Sequence, residues 1–253
     1  MAPKESTPLM DPGTVPGDLA EITDTAVRHG FIRKVFGILG AQLVATSVVA
    51  GSIAVLGAKL VVYNPVLVSV LMVLSMVMLI SMTCVFICCP DTMRTTPQNY
   101  ILLSLFTLAE AVLVGFICVQ YTIQSVLVTF AVTALVTLAL MLFSLQTTYD
   151  FTGFLPYMFA GCLVLMFMGL AISISAAFGA AGSGAFKVLN IVYASFGALF
   201  FSFYIILDTQ LILGGKHSKF RFQLDDYCMA AINIYLDIVQ LFLFLLQLLG
   251  ERK

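Results

Sequence analysis

Between Pro65 and Pro90 the chain carries no charged residue. A helix rising about 1.5 Å per residue needs roughly 20 apolar residues to cross the hydrocarbon core of a bilayer, and this stretch supplies them unbroken. Runs of the same kind recur along the chain, and spans are drawn over residues 35–56, 66–89, 100–119, 123–145, 154–178, 188–213 and 228–249. Polar or turn-forming segments separate them: Tyr63-Asn64-Pro65, loop 91–99, a turn at Gln120, loop 146–153, a Gly/Ala/Ser stretch at 179–185 and the charged loop 216–226. Gly214-Gly215 marks the end of the sixth span. Hydrophobic residues make up 61% of the 253 and charged residues 10%, whereas a soluble domain carries roughly a quarter charged residues. The pattern predicts an all-α integral membrane protein, a seven-helix bundle over residues 31–253. A disordered polar tail is expected over residues 1–30, which hold Pro3, Pro8, Pro12 and Pro16. No cleavable signal peptide is recognised, so the first span doubles as the targeting signal.

Basic residues set the expected orientation. With the N-terminus in the cytosol, Lys4, Arg28, Arg33, Lys34, Arg94, Lys216, Lys219 and Arg221 fall on the cytosolic side, against Lys59, Lys187, Arg252 and Lys253 on the other. Lys216, Lys219 and Arg221 are read as topology determinants. A net charge of −1 with no basic stripe excludes nucleic acid as a partner; the bilayer itself is the expected one. Cys84, Cys88, Cys89, Cys118, Cys162 and Cys228 lie mostly inside apolar runs and are read as packing residues. Cys88-Cys89 also stands at a membrane edge, where acylation occurs. His29 and His217 lie in polar segments without metal-ligand spacing, and no cofactor is expected.

Three acids lie within spans: Glu110, Asp208 and Asp237. An ionised side chain at the bilayer centre costs at least roughly 2.5–3.5 kcal/mol, so each needs a reason. At about 1.5 Å per residue, Glu110 sits roughly 15 Å from its span's entry, Asp208 roughly 9 Å from its span's exit and Asp237 roughly 13 Å from its entry. Spans six and seven are consecutive and antiparallel, so the two aspartates reach similar depth and can meet. On span seven, Asn233, Asp237, Gln240 and Gln247 share one helix face, and a polar stripe must face protein or water, not lipid. The C-terminal helix is therefore expected at the centre of the bundle. On span six, Gly197, Tyr204 and Asp208 share a face; Tyr204 can hydrogen-bond and Gly197 allows close approach. Helix–helix adhesion alone accounts for Asn233 and Gln240, but less well for two carboxylates that repel. Such a pair titrates as a unit and can share one proton, with Glu110, Tyr204, Asn233 and Gln240 expected as supporting polar groups. One protonation state ties the helices together; the doubly ionised state separates them or recruits a hard cation such as calcium, for which Asp208 and Asp237 would be transient oxygen ligands.

Tyr204-Ile205-Ile206-Leu207-Asp208-Thr209-Gln210, Leu224-Asp225-Asp226-Tyr227 and the run from Ala230 to Phe242 through Asp237 resemble the last two helices of the BAX-inhibitor-1 family (transmembrane BAX inhibitor motif proteins). Gly214-Gly215-Lys216-His217 and Ala109-Glu110-Ala111 resemble its lifeguard branch. The similarity covers residues 31–253 and departs at Gln240, where the family often has Asn, and at Asp225-Asp226, where it often has Glu-Glu. It implies a seven-helix fold with a central last helix, a pH-sensitive calcium leak across endoplasmic reticulum or Golgi membranes, and cytoprotection. The family's aspartate pair maps to Asp208 and Asp237; of the basic partner it implies, Arg94 is the expected counterpart.

Two other readings compete with an ion leak. A regulatory scaffold would bind cell-death or stress-response proteins and move no ion. An intramembrane aspartyl protease also sets two aspartates on adjacent helices, but no Gly-x-Gly-Asp or Pro-Ala-Leu element is present, and the chain is expected not to be an enzyme. Without a Lys in span seven there is no site for a retinal Schiff base.

Overall fold

The computed structural model describes residues 17–179, 182–214, 222 and 225–253. Expectations placed on residues 1–16 and on Lys216, His217, Lys219 and Arg221 lie outside these residues.

Among the described residues, seven helices are long and apolar enough to cross a membrane: α1 (Gly17–Tyr63), α2 (Pro65–Cys88), α3 (Gln98–Val119), α4 (Ile123–Gln146), α5 (Leu155–Ala177), α6 (Gly184–Leu213) and α7 (Tyr227–Leu249). Short 3-10 turns at Pro90–Met93 and Thr152–Phe154 introduce α3 and α5. The predicted spans match these helices closely, with one difference. Helix α1 already begins at Gly17, upstream of the boundary expected at residue 30. A polar sequence free of Pro and Gly between Asp18 and His29 has nothing to break a helix once the apolar run has nucleated it.

Helix ends follow local chemistry. Pro65 opens α2, where its missing N–H costs nothing. The Thr122 hydroxyl accepts from Ser125 N–H at the start of α4, and Ser183 accepts from Phe186 N–H at the start of α6. Helix α6 stops at Gly214, which takes a left-handed conformation (φ 59°) and sends its N–H to Gln210 O. The Arg28 side chain of α1 covers this end, donating to the carbonyls of Leu211, Leu213 and Phe222 at 2.9, 3.2 and 2.8 Å and to that of Ile212.

Helix α7 lies at the centre. Of its apolar stretch 61% is buried inside the protein, and of that of α3 56%, against 11% for α2 and 17% for α4 and α5. It packs on α6, α1, α4 and α3, and its core residues include Ala230, Ala231, Ile234, Tyr235 and Leu246. The peripheral helices expose Val, Leu, Ile and Phe over most of their surface, as expected when hydrocarbon is the solvent. The few buried residues of α4 are small and polar: Thr129, Thr133, Thr137 and Ser144 are buried, and Ser144 donates to Ile206 O of α6. Small polar residues at such contacts let helices approach closely. Helix α7 ends beside the α3–α4 turn, where Thr122 N–H donates to Glu251 O and Lys253 N–H to Gln120 O. Its C-terminus thus emerges on the side where α3 ends, as seven full crossings require.

Candidate functional site at the α6–α7 interface

Asp208 of α6 and Asp237 of α7 are both buried, with 5% and 6% of their surface exposed. Each carboxyl group is an electrostatic neighbour of the other across the α6–α7 interface. A carboxylate only accepts, so a hydrogen bond between the two requires one of them to carry a proton. The second oxygen of Asp237, Oδ2, is buried without any hydrogen-bond partner. Tyr204 of α6 and Cys162 of α5 are the electrostatic neighbours of the pair.

The packing around the pair explains why the helices meet there. Phe244 of α7 occupies the space above Gly197 of α6, where an added Cβ would stand 2.5 Å from the ring. One turn further out, Gln247 Nε2 of α7 donates to Asn190 Oδ1 of α6 at 3.1 Å. The face carrying Asp237, Phe244 and Gln247 is therefore the face turned to α6. Asn233 and Gln240 are half-buried on this face. On α6, the residues after Asp208 hold the surroundings in place. Thr209 bonds back to Ile205 O at 2.6 Å. Gln210 accepts from Phe151 N–H and donates to Tyr149 O, both at 2.8 Å, which fastens the α4–α5 loop to α6.

Two sequence-derived assignments change. Arg94, expected beside the aspartates, donates instead to Asp226 Oδ1 at 2.7 Å and lies 3.6 Å from Asp91. This contact joins the α2–α3 loop to the residue that precedes α7, and the Asp226 hydrogen bond raises the pKa of the guanidinium. Spacing alone could not exclude it, because Asp226 is reachable from the same loop. Glu110, expected as a supporting group, is buried on α3 with 6% exposed, and its electrostatic neighbour is Tyr235. Tyr235 and Asp237 are two residues apart, about 200° around a helix, so Glu110 lies across α7 from the pair. The packing role expected of the cysteines holds for Cys118 and Cys228, which are buried, but Cys84, Cys88, Cys89 and Cys162 are exposed on helix surfaces. All six are free thiols.

On the Glu110 side of α7, cross-helix hydrogen bonds appear that sequence reading missed. Thr46 of α1 and Tyr235 of α7 share a 2.8 Å bond, Gln42 Nε2 of α1 donates to Thr107 Oγ1 of α3 at 2.9 Å, and Asn99 Nδ2 of α3 donates to the Tyr227 hydroxyl of α7 at 2.8 Å. A lone polar residue in an apolar run was the only available signal.

The family model described as "Inhibitor of apoptosis-promoting Bax1" matches residues 28–253. The chain belongs to the Bax inhibitor family. Protein lifeguard 3 of Homo sapiens is 34% identical over 234 residues, covering 92% of this chain and 72% of that protein. Protein lifeguard 3 of Mus musculus is 33% identical with the same coverage. Protein LIFEGUARD 3 of Arabidopsis thaliana is 32% identical over 238 residues, covering 88% of this chain and 85% of its own length. Bax inhibitor family membership and the seven helices make this a multi-pass membrane protein of an apoptosis-regulating family. Both aspartates, α6 and α7 lie inside the region the family model matches.

Proposed function

We propose that this protein is a pH-sensitive calcium leak channel of intracellular membranes, the endoplasmic reticulum or Golgi, gated by Asp208 and Asp237 and cytoprotective because it lowers stored calcium. Its N-terminus faces the cytosol in this reading. The observation that carries the proposal is the juxtaposition of two buried carboxyl groups on neighbouring helices. Held by one proton, the pair ties α6 to α7. Without the proton, two like charges face each other; at a separation of about 4 Å and an effective dielectric of 20 such charges repel by about 4 kcal/mol, enough to loosen a helix contact or to draw in a cation. Two carboxylates offer at most four oxygens, fewer than the six to eight that a resident calcium takes, so the pair suits an ion in passage. Tyr204, Asn233 and Gln240 supply further oxygens on the same interface. The protein acts as a conduit and not as a catalyst, and calcium is its cargo.

The test is calcium flux into proteoliposomes containing only this protein, measured across pH for the wild type, Asp208→Asn and Asp237→Asn. The proposal expects pH-dependent flux in the wild type and a flat profile in both variants. Unchanged profiles in both would remove the pair from the mechanism.

A second reading is a regulatory scaffold that binds cell-death proteins, favoured by the mention of Bax1 in the family description. Absence of flux from the purified protein, with protection retained in cells, would favour it.

A further inference from the structure

On the opposite side of α7 from the aspartates, a groove of about 680 Å³ runs between α1 and α3. Its mouth holds Arg33, Lys34 and Tyr100. Arg33 is exposed, and its side chain makes no hydrogen bond or ion pair among the described residues. Lys34 Nζ stands 3.3 Å from the centre of the Tyr227 ring, and Tyr100 is a further electrostatic neighbour. Below the mouth the α1 wall is built from small residues, Gly37, Ala41 and Ala45, against Leu103, Leu108 and Ala111 of α3. From Arg33 to Val49 the groove extends about 24 Å along α1, enough to cross the headgroup region and one leaflet of a hydrocarbon core about 30 Å thick.

The floor carries one unanswered polar group. Gln42 lines the groove with 4% of its surface exposed. Its amide nitrogen is engaged by Thr107, but its carbonyl oxygen Oε1 is buried with no hydrogen-bond partner. A buried acceptor left without a donor is destabilising, and plain hydrocarbon cannot relieve it. Gln42 lies two turns below Lys34, and helical side chains lean back toward the N-terminus, which brings Oε1 toward the level of a lipid's glycerol.

We propose that this groove binds a single-chain anionic phospholipid of the surrounding membrane. Its phosphate meets Arg33 and Lys34, its backbone hydroxyl donates to Gln42 Oε1, and its one acyl chain lies along Gly37, Ala41 and Ala45. The basic mouth selects the charge, the wall of small residues admits an acyl chain, and the orphan acceptor selects a free hydroxyl, which a single-chain lipid carries.

Native mass spectrometry of the full chain in detergent tests this with three probes: oleoyl lysophosphatidic acid, oleoyl lysophosphatidylcholine and dioleoyl phosphatidic acid. The expected result is several-fold greater retention of the first than of either other lipid. Arg33→Gln should abolish the preference over the choline lipid, and Ala41→Leu should lower retention of the lysophosphatidic acid. Should Ala41→Leu fail to fold, Ser104→Leu fills the same groove from an exposed position on α3. Equal retention of all three lipids by the wild type, or lysophosphatidic acid retention untouched by Arg33→Gln and by a folded groove-filling variant, overturns the proposal.

Discussion

Phe244 of α7 lays its ring over Gly197 of α6, at a point where a Cβ would come within 2.5 Å of it. The contact is two turns along α7 from Asp237, on the same helix face. A residue larger than glycine at 197 must displace the ring, and with it the distance between the helices that carry the carboxyl pair. Overpacking of this kind costs about 1–3 kcal/mol. Gly197→Val is expected to lower the thermal melting temperature of the purified protein. Adding Phe244→Ala should restore part of the loss, since it removes the ring that clashes. A double variant no more stable than Gly197→Val alone would mean that the two positions are not coupled.

The aspartate pair predicts the direction of the pH effect. Two carboxyl oxygens hydrogen-bond only while one is protonated. Rising pH removes that proton, ends the bond and leaves two anions face to face. Calcium flux should therefore increase from mildly acidic to mildly alkaline buffer. In Asp237→Asn the amide donates to Asp208 without needing a proton, so the contact persists and flux stays low at every pH. Flux that falls with rising pH in the wild type would reverse the assignment of the closed state.

Arg28 holds the end of α6 through carbonyls of Leu211, Ile212, Leu213 and Phe222. Hydrogen bonds to a charged donor each contribute about 1.5–3 kcal/mol, though bonds sharing one side chain do not add. Arg28→Gln should destabilise the protein by at least about 2 kcal/mol. Faster hydrogen exchange at the amide of Gly214 would locate the effect. Gly214→Ala should be costly as well, because it faces a left-handed backbone and the Arg28 guanidinium together.

The Arg94–Asp226 contact is solvent-exposed on the arginine side, and surface ion pairs contribute little. Asp226→Asn should shift the melting temperature slightly, and less at high salt. It should leave the pH profile of flux in place, because Arg94 bonds Asp226 and not the aspartate pair. A profile displaced by Asp226→Asn would bring the α2–α3 loop into the gating mechanism.

Much of this architecture was legible in the order of residues. Crossing hydrocarbon requires long apolar runs with internally satisfied backbones, and those runs can be counted without knowing where anything packs. The polar stripe on α7 announced a central helix, because Asn233, Asp237 and Gln247 cannot face lipid. Asp208 and Asp237 could be matched in depth by counting residues along two antiparallel helices. Contacts between elements distant in sequence were not legible. Nothing local distinguishes an Arg94 that reaches Asp226 from one that reaches Asp237, or shows that Glu110 belongs with Tyr235 across the helix.

The apolar runs and the placement of acids within them are properties of the chain alone, set by the cost of exposing charge and peptide groups to hydrocarbon. The side of α7 that each acid occupies, and the partner each cation finds, were decided only when the helices packed. Rotation of a helix about its axis is governed by which small residues admit which large ones, as Gly197 admits Phe244, and that choice involves two surfaces at once.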